Sequence, residues 1–314
     1  MPKKRRFLQS LAQATHAKPT NKNSPRSKGF AGKRRSNVAG RRIPGARSAK
    51  GVLSGAKFAP TSSDEMGDYA MICTLNSMIR EAKRGVFFGG AGVSTESDIP
   101  DFRSAEGLYT KMRDRYASPE EILSYTFFIS HTAEFYQFYK EHILAPGARP
   151  NRAHYALARM ERDERLRAVV TQNIDGLHTE AGSRTVYEVH GSTQRNYCME
   201  CGEKYGLDFI LNAAGPVPLC TRCGGIVRPD VTLYGEALPP AALALSVRAV
   251  QEADLFIVGG TSLVVYPAAG LLEYYRGDDL VIINREPTPF DGRASLIFRE
   301  SIGEVLDAAW PDRS

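Results

Sequence analysis

Four of the five cysteines fall into two pairs with the same internal spacing. Cys198 and Cys201 form one C-x-x-C pair, and eighteen residues separate it from the second pair, Cys220 and Cys223. Each pair runs into glycine, which lets the backbone turn tightly around a tetrahedral ion. In a chain without a secretion signal, this spacing is typical of a zinc ribbon rather than of disulfides. Four thiolates leave no open coordination position, so the sequence predicts a structural zinc ion.

A glycine-rich loop is the second candidate for chemistry. The sequence Gly-Gly-Ala-Gly at 89–92 follows a short apolar run that begins at Gly85. At such a turn from strand to helix, backbone N–H groups can bind a pyrophosphate. The usual dinucleotide fingerprint has glycine where this chain has Thr95, so the loop alone is equally compatible with a packing turn.

Further motifs follow the loop in a fixed order. They read GAGVSTESDIPDFR at 90–103, TQNIDGLH at 171–178, EVHG at 188–191 and GTS at 260–262, with the four cysteines between the last two. This set resembles the sirtuin family over about residues 70–310. The resemblance implies an NAD-dependent protein-lysine deacetylase that releases nicotinamide and an O-acyl-ADP-ribose. Gly89 and Asp98 depart from the family pattern, because many sirtuins have threonine and glycine at these positions.

The resemblance also assigns residues to the NAD site. The loop after 89 would bind the pyrophosphate, a mobile loop at 101–103 would close over the nicotinamide end, and 172–175 would hold the ribose hydroxyls and the carboxamide. Residues 260–262, 284–285 and 301–302 would hold the adenosine side. The residues expected to contact NAD are Gly90, Ala91, Gly92, Thr95, Asp101, Phe102, Arg103, Gln172, Asn173, Ile174, Asp175, His190, Gly260, Thr261, Ser262, Asn284, Arg285, Ser301 and Ile302.

Two residues are expected to act in catalysis, His190 and Asn173. An imidazole titrates near neutral pH and can accept a proton from a ribose hydroxyl. A lone histidine at a strand end is more often structural, and only the Glu-Val-His-Gly context favours a general base.

The stretch from Arg228 to Glu236 resembles the substrate-binding segment of the family. Val231, Gly235 and Glu236 are expected to lie where an acyl-lysine peptide adds by backbone pairing, although the run also fits an ordinary edge strand. Sirtuins that prefer acidic acyl groups carry a tyrosine and an arginine three residues apart. Here Tyr136 is followed by Tyr139, so acetyl or another uncharged acyl group is the predicted substrate.

Apolar runs and helical patterns alternate through the region that positions these motifs. This alternation predicts a Rossmann-like, doubly wound parallel α/β sheet with a small zinc-ribbon subdomain at about 196–227. Predicted strands are 85–89, 168–171, 186–189, 255–258, 280–283 and 295–298. Predicted helices are 71–83, 132–143, 153–160, 241–252 and 268–275. Residues 66–314 are therefore the predicted catalytic domain.

Residues 1–65 have a different composition. Residues 1–63 hold 16 Lys and Arg and no Asp or Glu, whereas the remainder holds 25 basic and 35 acidic residues. Such a segment is expected to be disordered. It could be a solvated extension, a contact for nucleic acid or an acidic partner, or a transit peptide. No apolar run is long enough for a bilayer, so no membrane association and a cytoplasmic location are predicted, with organelle targeting as the alternative.

Two other functions remain compatible with the sequence. The same fold could transfer a single ADP-ribose to a protein. A nucleic-acid-binding module without enzymatic activity could use the zinc ribbon and the basic tail, but the acidic core and the full set of NAD-site motifs count against it.

Overall fold

Parallel strands form the centre of the molecule. A computed structural model describes residues 63–101 and 118–312, which all fall within one compact unit, Ser62–Ser314. The basic tail, Phe102 and Arg103 lie outside the described residues. The described strands are β1 (Gly85–Gly89), β2 (Leu166–Thr171), β3 (Val186–Glu188), β4 (Gly191–Cys198), β5 (Lys204–Tyr205), β6 (Val227–Val231), β7 (Phe256–Gly259), β8 (Leu280–Ile283) and β9 (Leu296–Phe298).

Helices connect most of these strands. They are α1 (Ser63–Glu81), α2 (Pro119–Ile122), α3 (Tyr125–Ser130), α4 (Thr132–Phe138), α5 (Arg152–Arg162), α6 (Leu177–Glu180), α7 (Leu207–Leu211), α8 (Pro240–Glu252) and α9 (Ile302–Ala309). A π-helical turn, Tyr139–Ile143, follows α4, and 3-10 helices span Ala91–Val93, Thr95–Ser97, Ala268–Tyr274 and Asp291–Arg293. Among residues 63–101 and 118–312, no helix combines the length and the apolarity needed to cross a bilayer.

The large sheet has its topological switch point between β1 and β7. Its strand order is β3-β2-β1-β7-β8-β9, and each neighbouring pair is parallel. The chain thus winds outward from β1 in one direction and from β7 in the other. In sheets of this kind, ligands bind at the carboxyl ends of the strands on either side of the switch point.

Both faces of the large sheet are covered. One apolar cluster contains Phe87 and Ile257 of the sheet with Leu157 of α5 and Leu306 of α9. The second cluster, on the other face, contains Phe88 with Val250 of α8 and residues of the 3-10 helix that begins at Ala268. Because both faces are buried, the strands are continuous apolar runs rather than alternating ones.

A second, smaller sheet forms the zinc-ribbon lobe. Its order is β5-β4-β6, and both pairings are antiparallel. A third apolar cluster joins this sheet to the helices after residue 118, for example Phe135 with Val227. The small lobe is therefore built from two chain segments, and its sheet runs from Gly191 to Val231 rather than over 196–227.

The predicted fold class is confirmed, with differences at element boundaries. Helix α1 starts at Ser63 and ends at Glu81, before the predicted end at 83. The predicted helix at 268–275 is a 3-10 helix, Ala268–Tyr274. The predicted helix at 132–143 is α-helical only to Phe138 and continues as the π-helical turn. The sequence prediction lacks helices α2, α3, α6, α7 and α9, all of which have eight residues or fewer. Ser118 and Ser124 cap α2 and α3.

Candidate active site and metal centre

The loops that follow β1 and β7 meet backbone to backbone at the switch point. The Gly92 N–H donates to the carbonyl oxygen of Gly260 over 2.8 Å. A Cβ atom on Gly92 would lie 2.7 Å from the Cα atom of Gly260, and Gly260 has a φ of 60°. Only glycine fits both positions, because the backbones approach too closely for a side chain and one lies in the left-handed region.

Gln172 joins three of the loops at the strand ends. Its backbone N–H donates to the carbonyl oxygen of Gly89 over 2.9 Å, and its Oε1 accepts from the Thr261 hydroxyl, also over 2.9 Å. The Nε2 atom is buried and has no partner among the described residues. A buried, unsatisfied donor is costly and is therefore the kind of group that a bound ligand satisfies. An oxygen atom of a ligand that can accept a hydrogen bond fits this requirement.

Ser94 links the first loop to the Asn-Ile-Asp loop after β2. Its hydroxyl donates to Oδ2 of Asp175 over 2.7 Å and accepts from Nδ2 of Asn173 over 3.0 Å. The Leu177 N–H donates to Oδ1 of Asp175 over 2.9 Å. Burial raises the pKa of Asp175, and the hydrogen bonds from Leu177 and Ser94 oppose that rise. These contacts fix the positions of both side chains.

His190 lies in the turn between β3 and β4, beside the same loop. Its Nδ1 is 2.9 Å from the carbonyl oxygen of Gln172. A carbonyl oxygen can only accept, so Nδ1 carries the proton and Nε2 is the free acceptor. Burial lowers the pKa of His190, although the contact with the Gln172 carbonyl acts to raise it. The arrangement therefore provides a neutral imidazole with its basic nitrogen directed away from the main chain that holds it.

Other residues predicted to contact NAD in these loops are half-buried and hydrogen-bond within the protein. Ala91 and Thr95 are half-buried, and the Thr95 hydroxyl donates to the carbonyl oxygen of Gly92 over 3.0 Å. Ile174 is half-buried, and its carbonyl oxygen accepts from the Thr193 hydroxyl over 3.0 Å. Asp101 is the last described residue before the break.

The predicted adenosine-side residues all follow the ends of β7, β8 and β9. Thr261 is buried, whereas Ser262 and Arg285 are exposed. Asn284 follows β8, and its Nδ2 donates to the carbonyl oxygen of Glu286 over 2.7 Å. This edge of the sheet is therefore the one predicted from the sequence, but the individual contacts stay predictions.

Ser301 and Ile302 begin helix α9 and are held from the first loop. The Ser301 hydroxyl donates to Oε1 of Glu96 over 2.7 Å, and the Gly303 N–H donates to the same oxygen over 2.9 Å. Ile302 is buried in the core. Sequence reasoning missed the role of Glu96, although the residue lies within the 90–103 motif.

The predicted peptide-binding residues lie at the outer edge of the small sheet. Val231 ends β6, which pairs only with β4 among the described strands. Gly235 is exposed and has a φ of 93°. The Glu236 carboxylate, in contrast, is paired with Arg228 at 2.8 Å. Its side chain is thus used within the protein, which leaves backbone groups for peptide pairing.

The four predicted metal ligands come together. The Sγ atoms of Cys198, Cys201, Cys220 and Cys223 all lie within 4.8 Å of one another. The Sγ atoms of Cys198 and Cys223 are 3.4 Å apart, and those of Cys201 and Cys220 are 3.6 Å apart. Thiolates that surround zinc at about 2.3 Å in a tetrahedron lie at about such separations. The donor set and its geometry therefore fit one zinc ion.

The two tyrosines used to predict the acyl preference are both buried. Tyr136 is 0% exposed and its hydroxyl donates to the carbonyl oxygen of Val227, while Tyr139 is 1% exposed. The Tyr139 hydroxyl has no partner among the described residues. Neither position supplies a cation.

The chain is similar to known proteins over most of its length. Residues 90–267 match the model of the Sir2 family. A Clostridium acetobutylicum protein named NAD-dependent protein deacetylase is 52% identical over 233 residues, which cover 74% of this chain and 95% of that protein. A Cutibacterium acnes protein of the same name is 52% identical over 230 residues and covers 73% and 93%.

Solved structures show the same similarity. A Sir2 structure with a deacetylated p53 peptide and 3′-O-acetyl-ADP-ribose superimposes with a TM-score of 0.69 at 39% identity, covering 75% of this chain and 95% of that one. Sir2Tm bound to a propionylated peptide gives a TM-score of 0.65 at 39% identity, covering 73% and 93%. These similarities extend over about three quarters of the chain.

Proposed function

The chain belongs to the Sir2 family, and from that membership we propose that it removes acetyl groups from protein lysines with NAD as co-substrate. The products are nicotinamide and an O-acyl-ADP-ribose. The names of the relatives support deacetylation, and none of those named above supports ADP-ribosyl transfer to a protein.

The observation that carries the proposal is the orientation of His190. Its Nδ1 is used by the Gln172 carbonyl at 2.9 Å, so Nε2 is the atom that accepts a proton from a ribose hydroxyl. The same residue, Gln172, offers its unsatisfied Nε2 as a donor to the ligand. One residue thereby orients the base and contributes to the binding site.

NAD, when bound, supplies the ribose that receives the acyl group while nicotinamide leaves. The residues of this chain hold that ribose and exclude other geometries. Asn173 and Asp175 are positioned by Ser94 and need no rearrangement to present their polar atoms. The glycines at 90 and 92 let the backbone approach the pyrophosphate, and residues 101–103 are proposed to cover the nicotinamide end.

Zinc has a structural role in this scheme. Four thiolates complete a tetrahedral shell, so the ion offers no position for substrate. Its role would be to hold the small lobe together, since Cys198 ends β4 and the other three cysteines lie in the loops that precede β5 and β6. The edge strand β6 then presents its backbone to the acyl-lysine peptide.

An uncharged acyl group is the proposed substrate. A succinyl carboxylate would need a cation within reach, and the position that supplies arginine in acid-preferring relatives is Tyr139, buried and neutral. Sir2Tm was solved with a propionylated peptide, which is also uncharged.

The basic segment 1–63 is proposed to contact nucleic acid or an acidic partner. The proposed catalytic domain is residues 66–314, and the proposed location is the cytoplasm. The 16 positive charges of segment 1–63, without a negative one, support the proposed contact. Removal of residues 1–63 should abolish salt-dependent DNA binding and leave deacetylation unchanged. Equal DNA affinity of the full and truncated chains would count against the contact.

Nicotinamide release from NAD tests the proposed activity directly. The assay uses an acetyl-lysine peptide, a succinyl-lysine peptide of the same sequence and no peptide. Release that depends on the acetyl peptide supports deacetylation with the stated preference. Faster release with the succinyl peptide would contradict the preference, and no release with either peptide would contradict the activity.

A further inference from the structure

A buried ion pair spans the predicted peptide-binding segment, residues 228–236. We propose that Arg228 and Glu236 are positioning residues, which hold this segment in the conformation that pairs with the acyl-lysine peptide. The inference deepens the proposed deacetylase function and rests on it. It differs from the sequence-based assignment, in which Glu236 lies against the peptide.

The pair is bidentate and largely removed from solvent. Nη1 of Arg228 lies 2.8 Å from Oε1 of Glu236, and Nη2 lies 2.9 Å from Oε2. The Arg228 side chain is 8% exposed and that of Glu236 is 23% exposed. Two parallel hydrogen bonds fix direction as well as distance, which a single charged contact does not.

The remaining polar atoms of the pair hold the backbone between the two residues. Nη2 of Arg228 also donates to the carbonyl oxygen of Val231 over 3.1 Å, and Nε donates to that of Pro229 over 3.2 Å. The Leu233 N–H donates to Oε2 of Glu236 over 2.9 Å. Two side chains therefore fix three backbone points within nine residues.

Three aromatic rings surround the guanidinium. The Arg228 Cζ atom lies 5.7 Å from the ring centroid of Tyr125, 5.6 Å from that of Phe128 and 5.8 Å from that of Tyr197. The rings compensate in part for lost hydration through cation–π attraction. They also restrict the orientation of the arginine, because Tyr125 and Phe128 contact it from α3 and Tyr197 contacts it from β4.

The segment is connected to the catalytic base. The Thr232 N–H donates to the carbonyl oxygen of His190 over 2.9 Å. On the other side of the segment, the Tyr234 N–H donates to the carbonyl oxygen of Leu123 over 3.0 Å, and the Tyr125 N–H donates to that of Tyr234 over 3.0 Å. A change in the conformation of residues 228–236 would alter the edge offered to the peptide beside His190.

Stability alone does not account for this arrangement. A buried ion pair is weak evidence of stabilisation, because desolvation offsets most of the attraction, and apolar replacements of both partners are often tolerated. What apolar side chains cannot replace is the set of directed hydrogen bonds to Pro229, Val231 and Leu233. Positioning and stability can therefore be separated by experiment.

The test begins with wild-type deacetylation of an acetyl-lysine peptide and then compares three variants. Glu236→Gln removes the charge of the pair, and Arg228→Met with Glu236→Leu replaces the pair by apolar groups. Glu252→Gln is the matched control, since Glu252 pairs with Arg167 at 2.6 Å and Arg248 at 2.8 Å on the surface. The readouts are kcat, KM for the peptide, KM for NAD, anisotropy of a fluorescent acetyl-lysine peptide, and the melting temperature.

Glu236→Gln is expected to raise the KM and the Kd for the peptide about tenfold, with KM for NAD changed less than about twofold. The double variant should melt near the wild type and still bind peptide weakly. The control should change neither constant. Unchanged peptide KM and Kd in Glu236→Gln, or wild-type peptide binding in the double variant, would overturn the proposal. If the wild type binds the peptide but does not deacetylate it, the proposed function is refuted. The anisotropy measurements then still test the ion pair.

Discussion

The Nδ1 atom of His190 and the carbonyl oxygen of Gln172 lie 2.9 Å apart, and this contact selects the tautomer of the proposed base. With Nδ1 as donor, Nε2 is the proton acceptor. Removal of the imidazole should therefore stop the chemical step without disturbing the fold.

His190→Tyr is expected to lower the kcat for deacetylation by at least about 100-fold, the lower end of general-base contributions. Zinc content and melting temperature should stay near those of the wild type, since His190 is not one of the four predicted zinc ligands. His131→Gln, at an exposed histidine on the end of α3, is the control and should keep full activity. Appreciable turnover by His190→Tyr would remove His190 from the mechanism.

The acid limit of activity follows from the environment of the same residue. Burial lowers the pKa of His190 below its ordinary value of 6.5. The neutral, proton-accepting form therefore persists below that pH, and the rate falls only when the medium is more acidic. The pH profile of kcat/KM should show its acidic limb below pH 6.5, because this parameter reports the free enzyme. An acidic limb of kcat/KM centred at or above pH 7 would contradict the assignment, provided that peptide binding itself does not change over the same pH range.

The sheet could be predicted because its strands are buried on both faces. The runs at 85–89 and 280–283 are continuously apolar, and β1 and β8 have those bounds. At position 98 the backbone conformation explains why aspartate can replace the glycine of the family pattern. Asp98 has a φ of 61°, a left-handed conformation that glycine adopts freely and aspartate tolerates, so the glycine of the family pattern would suit the same backbone conformation.

The contacts between loops could not be predicted in the same way. The hydroxyl of Ser94 contacts residues that are 79 and 81 positions away in the sequence, and Glu96 contacts residues more than 200 positions away. Periodicity reports which face of an element is buried but not which loop lies opposite. For the same reason the Arg228–Glu236 ion pair could not be predicted. Both residues belong to one motif, but the motif does not indicate that their side chains bind each other.

Zinc binding predicts a second variant phenotype. Cys220→Ser should release zinc, because one of the four thiolates is lost and the site has no substitute ligand among the described residues. The melting temperature should fall by about 4–8 °C, since a loss of about 2 kcal/mol lowers it by roughly 2–4 °C per kcal/mol in a domain of this size. Zinc is measured with a chromogenic chelator after denaturation. Cys73→Ser, at a half-buried cysteine outside the cluster, is the control and should retain the metal. A Cys220→Ser protein that is free of zinc, fully active and equally stable would contradict a structural role.

Two buried histidines make the stability of the fold depend on pH. The rings of His154 and His178 pack at 4.7 Å between centroids, and both are at most 2% exposed. Burial lowers the pKa of His154 to about 4, whereas an unfolded histidine titrates at 6.5. Between these values the unfolded chain binds more protons, so stability is lost as the pH falls from 6.5 toward 4. The resulting loss between pH 7 and pH 5 is about 2 kcal/mol for His154 alone.

His154→Gln should therefore reduce the acid sensitivity of the fold. Glutamine can still accept the hydrogen bond that the Asn151 N–H donates to Nδ1 of His154 over 3.2 Å, but it takes up no proton. Urea unfolding at pH 7 and at pH 5 gives the free energy of unfolding for each protein. The wild type should lose about 2 kcal/mol more than the variant across this interval, with the sign fixed by the lowered pKa of the folded state. An equal loss in both proteins would mean that His154 is not held neutral by burial, and that acid destabilisation has its origin in other groups.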